Sequence, residues 1–383
     1  MQLLEDSEIV SLIQSVFSIQ SRDKNIGILV DIPREKENDN EDWRHRREIA
    51  CQWASALQRN LKKIPLENIS LIAYPDVGSN NADLPETASV IPVEQKLDSA
   101  AMLDDYPKIS FDRIFSEHQI FLAPTEFSTT APLKNAAKKF PIRAATMPGF
   151  SAAMVPALRI DYKEVNRRCQ LIKELVDPAH GASVDFEVDD GQRYHVFFDL
   201  RYRKAHVSSG RFPEFGVAGN LPSGETYIVP YEGESGVESQ TKGMLPVQIK
   251  DTMLVFEIRN NAAISVSGAN CSSLSEEKEH LRRVPAYGNM AELGFGVLAD
   301  FGLSPINEIL LDEKLGFHVA FGRSDHFGGQ VGPAQFPTPA DVIHLDRIYI
   351  PSTQPRIMVK QLTFLYADGS EKEIIKDGDY KIF

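Results

Sequence analysis

Cysteine is scarce in this 383-residue chain: Cys51, Cys169 and Cys271 lie far apart, with no C-x-x-C pair. That excludes a disulfide framework and a thiolate zinc site. Positive charge is also in deficit, 41 Lys and Arg against 54 Asp and Glu, for a net charge of −13. Such a surface repels nucleic-acid phosphates and anionic lipid, so neither nucleic acid nor membrane is an expected partner. No apolar run approaches the roughly 18 residues of a membrane helix. The first residues, Met1 to Glu8, carry acids where a secretory leader would be basic. A reducing cytoplasm is the expected compartment. Internal repeats and low-complexity tracts are absent as well.

What is present is an ordinary globular composition, 42% hydrophobic and 25% charged, in a chain long enough for two domains with substantial cores. The first part alternates strand-like and helix-like segments. Residues 26–32, 69–74, 119–123 and 142–146 read as buried strands; 43–61 and 130–139 carry helical periodicity, with Ile49, Trp53, Ala54 and Leu57 on one face. The alternation predicts an α/β domain over 1–158 built on a Rossmann-like parallel sheet, with polar loops at 33–42 and 78–106. An amphipathic helix over 161–177 follows, and then the texture changes. Segments 183–189 and 193–201 flank Asp189-Asp190-Gly191, a hairpin turn. Further strands are expected at 225–230, 253–258, 262–267, 317–321, 341–350 and 358–366, the last turning at Ala367-Asp368-Gly369. Residues 159–383 are therefore expected to form an α+β, β-rich domain.

That second part holds the chemistry. In the strand Val342-Ile343-His344-Leu345-Asp346, His344 and Asp346 share a face, since strand side chains alternate. An imidazole and a carboxylate on one rigid strand make half a metal site. Alone, an H-x-D is most simply a surface His beside a solvated Asp. His318 lies among apolar neighbours in Gly316-Phe317-His318-Val319-Ala320-Phe321-Gly322, where a hydrogen-bonded core His is the simpler reading. Glu313 precedes it in the turn Asp312-Glu313-Lys314-Leu315-Gly316, otherwise a solvated turn acid. Glu292 sits in the glycine-rich, apolar Ala291-Glu292-Leu293-Gly294-Phe295-Gly296, where an ionised carboxylate is costly without a cation. Glu225 opens a strand after Asn220-Leu221-Pro222-Ser223-Gly224, and as a strand-end acid it needs no function.

Together, N-L-P-S-G-E, A-E-L-G-F-G, D-E-K-L-G-F-H-V-A-F-G and I-H-L-D resemble, in order and separation, the aminopeptidase T/aminopeptidase S family of metallopeptidases. The four motifs span about 120 residues. The resemblance implies two divalent metal ions, Zn, Co or Mn, held by Glu225, Glu292, Glu313, His318, His344 and Asp346, with Glu292 as the shared carboxylate. It implies an enzyme that removes N-terminal residues from short peptides, and a homodimer. Glu225, Asp325 and His326 are the catalytic candidates. One departure stands out: where such enzymes carry a Tyr seven residues after the first ligand His, this chain has Asp325, which donates a hydrogen bond only if protonated. His326 and Arg323 are the available replacements. The scaffold also resembles 2,5-dihydroxypyridine dioxygenases, for which His318, His344 and Asp346 would hold one Fe(II) in place of two metals and the substrate would be a small ring compound.

Weaker signals are set aside. Gly294-Phe295-Gly296 lacks the long helix of a dinucleotide fingerprint. Asp185, Glu187, Asp189 and Asp190 lack calcium-loop spacing, and Ser151 lacks the second glycine of a nucleophile elbow. Trp43 and Trp53 read as packing. His195, Asp199 and His206 are candidate supporting or substrate-contacting groups.

Overall fold

The structure, a computed structural model, describes residues 3–189 and 191–383. Asp190, central to the expected turn at 189–191, lies outside the described residues. Two compact units form: the chain up to Asn166 together with Ser208–Ser223, and Arg167–Val207 together with Gly224–Phe383. The first unit thus runs past the expected boundary at residue 158 and takes back a later segment.

The first unit is organised by a seven-stranded sheet in the order Val217–Asn220, Arg143–Thr146, Ile120–Ala123, Asn25–Ile32, Asn68–Pro75, Thr87–Ile91, Lys108–Ser110. The first five run parallel. Asn25–Ile32 is buried from its second residue onward, as expected of a strand covered on both faces. Helix Glu41–Arg59 begins at Asn40, whose side chain accepts a hydrogen bond from the Trp43 amide, and it buries Trp43, Ile49, Trp53 and Leu57. The expected parallel sheet is extended at one edge by strands that pair antiparallel, Thr87–Ile91 and Lys108–Ser110. The first of these lies in the stretch expected to be loop, where five strand residues are embedded in polar sequence.

Arg143 ties the returning segment to this unit. It is fully buried, pairs with Asp23 at 2.5 Å, and donates to the carbonyls of Phe17, Phe212 and Pro213. Removing the guanidinium would leave a buried carboxylate and three carbonyls short of a donor.

The second unit is built on two sheets whose described strand pairings are antiparallel. The larger has eight strands, in the order Ala262–Gly268, Thr252–Arg259, Lys242–Ile249, Arg193–Asp199, Ala179–Val188, Ile357–Tyr366, Glu371–Lys376, Asp379–Tyr380. The smaller has five: His344–Ile348, Phe317–Gly322, Met290–Gly296, Glu225–Ile228 and His206–Ser208. Alternation gives the smaller sheet two characters. One face presents Phe295, Phe317 and Phe321, which meet Phe364, Tyr349 and Phe256 in ring contacts of 5.1–6.0 Å. The opposite face carries the polar residues described next.

Candidate metal centre

Register decides which side chains share the polar face. Glu225 lies opposite Gly296 and Tyr227 opposite Gly294; Gly294 lies opposite His318; Glu292 faces Ala320, which faces Asp346; Gly322 faces His344. Register partners in antiparallel strands point to the same side. Glu225, Glu292, His318, His344 and Asp346 therefore converge from four adjacent strands. Glu313 arrives from the helical turn Glu313–Leu315 that precedes the His318 strand.

Small residues make the room. A Cβ on Gly294 would lie 1.8 Å from His318 Nε2, so the imidazole occupies the volume that glycine leaves. Ala320, the register partner of both Glu292 and Asp346, places only a methyl group between them.

The groups form two clusters that share Glu292. His318 Nε2 lies 3.6 Å from Glu225 Oε2 and 3.5 Å from Glu292 Oε1; His344 Nε2 lies 3.2 Å from Glu292 Oε2 and 3.5 Å from Asp346 Oδ1. Glu225, Glu292 and His318, and likewise Glu292, His344 and Asp346, offer ligand atoms within 4.8 Å of one another. Both rings are oriented from behind: Nδ1 of His318 donates to the Gly316 carbonyl (3.1 Å) and Nδ1 of His344 to the Arg323 carbonyl (2.8 Å). A carbonyl only accepts, so each Nδ1 carries the proton and each Nε2 faces the carboxylates. Glu225 Oε2 is buried and has no hydrogen-bond partner. A buried carboxylate oxygen left without a donor, facing an imidazole nitrogen, is what a cation ligand requires.

Electrostatics point the same way. Burial disfavours the charged form of His318, but Glu292, Asp346 and Glu225 outweigh it and push its pKa up to about 9. His344 is raised well above its usual range against burial by Asp346 and Glu292. Glu292, though buried, is held far below the carboxylate range by His318 and His344. Burial pushes Glu313 up to about 8, with Lys314 opposing and Glu225 and Asp346 assisting; burial likewise raises Glu225. Here protons balance the crowded carboxylates.

Lys314, which the sequence presents only as part of the turn around Glu313, is 2% exposed and donates to Glu225 Oε1 and Glu313 Oε1. Its ammonium stays charged because burial is outweighed by both carboxylates. Glu225 thus spends one oxygen on Lys314 and turns the other towards His318. Glu313 is brought to the cluster through Lys314 rather than through either imidazole.

The catalytic candidates are placed differently. Asp325 is bound by Arg323, which, against burial, holds its carboxyl below the usual range. It is an acceptor and cannot take the place of a hydroxyl donor, and Arg323 is engaged by the same contact. The His326 ring lies 5.2 Å from that of His344. Burial, His344 and Arg323 lower its pKa to about 4, so it is neutral at physiological pH. His206 stacks on Tyr227 at 5.3 Å. His195 instead pairs with Asp185 on the larger sheet, and Asp199 is buried against Arg201. Sequence reasoning missed Lys314, Tyr227 and Glu232, the last a carboxylate that accepts from Ser324 Oγ and Asn289 Nδ2 beside the His326 loop. The i, i+2 spacing of Tyr227 from Glu225 was the one signal available for it; Glu232 carried none.

No protein-family model and no curated protein sequence matches the chain. Solved structures do. A 2,5-dihydroxypyridine dioxygenase from Pseudomonas putida KT2440 aligns with a TM-score of 0.58 at 14% identity, over 98% of both chains. Wild-type AmpT from Thermus thermophilus aligns with a TM-score of 0.55 at 13% identity, again over 98% of both. At these identities the likeness shows a shared fold over the whole length.

Proposed function

We propose that the chain is a dinuclear, divalent-metal-dependent aminopeptidase acting on short peptides. The observation that carries this reading is the division of Glu292, which has Oε1 towards His318 and Oε2 towards His344 and belongs to both ligand clusters. A carboxylate with one oxygen in each of two ligand sets is suited to bridging two cations. Charge supports the count. With every carboxylate ionised, Glu225, Glu292, Glu313 and Asp346 against Lys314 leave three net negative charges; two divalent cations turn these into one positive charge, which one anionic group neutralises. Glu225, Glu292, Glu313 and His318 would hold one ion, Glu292, His344 and Asp346 the other, from among Zn, Co and Mn. Such a pair lowers the pKa of water and polarises a peptide carbonyl.

The chain's own residues supply the rest. Lys314 holds one oxygen each of Glu225 and Glu313, leaving Glu225 Oε2 towards His318. The Gly316 and Arg323 carbonyls hold both imidazoles in the ligating tautomer. Neutral His326, beside His344, is the group available to accept a proton or a hydrogen bond. Hydrolysis of a panel of aminoacyl p-nitroanilides and dipeptides, with Zn, Co and Mn each supplied, tests the reading; inactivity throughout with metal bound contradicts it.

A second reading has support of its own. His318, His344 and Asp346 are also the donor set of a mononuclear Fe(II) ring-cleaving dioxygenase, and a dioxygenase is among the structures sharing the fold. Against it, Glu292 stands between the two imidazoles and Glu225 adjoins His318, carboxylates that a single iron does not require. Anaerobic purification followed by iron analysis separates the two.

A further inference from the structure

A continuous wall of rings adjoins the candidate metal centre on the same unit. Tyr227 shares the sheet face of Glu225, two residues along the strand. Its ring lies 4.7 Å from Phe327. Phe327 in turn lies 5.3 Å from His344 and 3.9 Å from His326. Tyr227 lies opposite Gly294, two residues from Glu292 on the same strand and face, so the wall borders the Glu292 carboxylate. Tyr227, Phe327 and the His326 side chain are half-buried, so each ring beside the buried charged cluster keeps apolar surface for a bound side chain to cover. We propose that this wall receives the side chain of the substrate's N-terminal residue and selects large apolar, above all aromatic, side chains, and that Glu232 is the positioning residue that holds it. The assignment of substrate class rests on the aminopeptidase reading.

Glu232 has the geometry for that role. Its carboxylate, 6% exposed, accepts from Ser324 Oγ (2.6 Å), from the Gln330 amide, from Asn289 Nδ2 (2.8 Å) and from Arg203 Nη2 (3.2 Å). Ser324 and Gln330 bracket the loop that carries His326 and Phe327. Asn289 immediately precedes the Glu292 strand and also donates to the Gly322 carbonyl at 3.0 Å. One buried carboxylate thus closes the loop on itself and fastens it to the strand carrying the bridging ligand. Gly329 lets the clasp close, because a Cβ there would lie 2.2 Å from Ser324 Oγ and 2.9 Å from Glu232 Oε2. Rings held this way present a rigid apolar surface, and apolar pockets discriminate by about 10- to 200-fold per methylene-sized difference.

The experiment compares kcat/KM for Phe-, Leu-, Ala- and Glu-p-nitroanilide in metal-loaded wild type, Phe327→Ala, Phe327→Leu, Glu232→Ala and Glu232→Gln, with metal content and circular dichroism measured on each. Wild type is expected to prefer Phe over Ala by at least about tenfold. In Phe327→Ala that ratio collapses, and Phe327→Leu retains part of it. Glu232→Ala loses the preference chiefly through a raised KM with metal content unchanged, and Glu232→Gln, which keeps one acceptor oxygen, retains more. Activity with no preference for Phe, or a preference that survives Phe327→Ala, overturns the wall alone. If Glu232→Ala lowers kcat uniformly, or loses metal, the positioning role fails. Inactivity of wild type on every substrate overturns the aminopeptidase reading and the wall with it.

Discussion

At the scale of single residues, Lys314 governs the cluster before any cation arrives. It is a buried ammonium between two buried carboxylates, and removing one member of such a set leaves an uncompensated charge. Lys314→Met is expected to lower the stability of the metal-free protein by about 3 kcal/mol or more. Added cations should recover part of that loss, because they bind the same carboxylates. Urea denaturation with and without Zn checks both statements. Protons provide a second test. In the metal-free state the pKa of His318 is raised to about 9 and that of Glu313 to about 8. Folded protein therefore binds more protons than unfolded protein between the ordinary values of these groups and the raised ones. By linkage, stability falls with rising pH over that window, and the His318 contribution, complete below about pH 6.5, is lost by about pH 9. Cations displace these protons, so affinity for metal rises across the same window. Thermal melts from pH 6 to 9.5 should decline in chelator and stay nearly flat with metal; parallel curves would contradict the assignment of these groups to the cation site.

At the scale of elements, the centre depends on glycine in the middle of a strand. Met290–Gly296 presents Gly294 beneath the His318 ring, and the extra carbon of Gly294→Ala would press on Nε2. The variant is expected to displace that imidazole and lower bound metal from two ions per chain towards one, read by elemental analysis alongside circular dichroism. The same glycines explain why this strand was not legible in sequence: they lower strand propensity, and Ala-Glu-Leu-Gly-Phe-Gly drew notice for its acid and its glycines rather than as a strand. Strands with unbroken apolar runs, such as Asn25–Ile32 and Asn68–Pro75, were legible. So was the alternation that puts His344 and Asp346 on one face. Helix Ser272–Arg283 escaped because it buries only Ser273, Leu274 and Glu277. Lys314 escaped because a Lys after an Asp-Glu pair reads as turn, and the Glu225 partner that buries it lies 89 residues away in sequence. Glu232 joins Asn289, Ser324 and Gln330, contacts that no local pattern encodes.

At the scale of the whole molecule, the division into units separates stability from chemistry. The six candidate ligands and Lys314 belong to one unit, whereas Arg143, Asp23 and the returning segment Ser208–Ser223 belong to the other. Arg143→Met removes one partner of a fully buried pair and the donor to three carbonyls. It should cost about 3–5 kcal/mol in the unit that contains it, seen as a lowered unfolding midpoint, while the number of metal ions bound per folded chain stays the same. Loss of metal in proportion to that destabilisation would show that the centre depends on the first unit's integrity. Among the described residues no helix is long and apolar enough to cross a membrane.

Anomalous diffraction at the absorption edge of the metal, from crystals of the loaded protein, bears most directly on the cation pair. Two peaks are expected on either side of the Glu292 carboxylate, one beside His318 and Glu225, the other beside His344 and Asp346. A single peak shared by His318, His344 and Asp346, or none within reach of Glu292, would contradict the dinuclear centre.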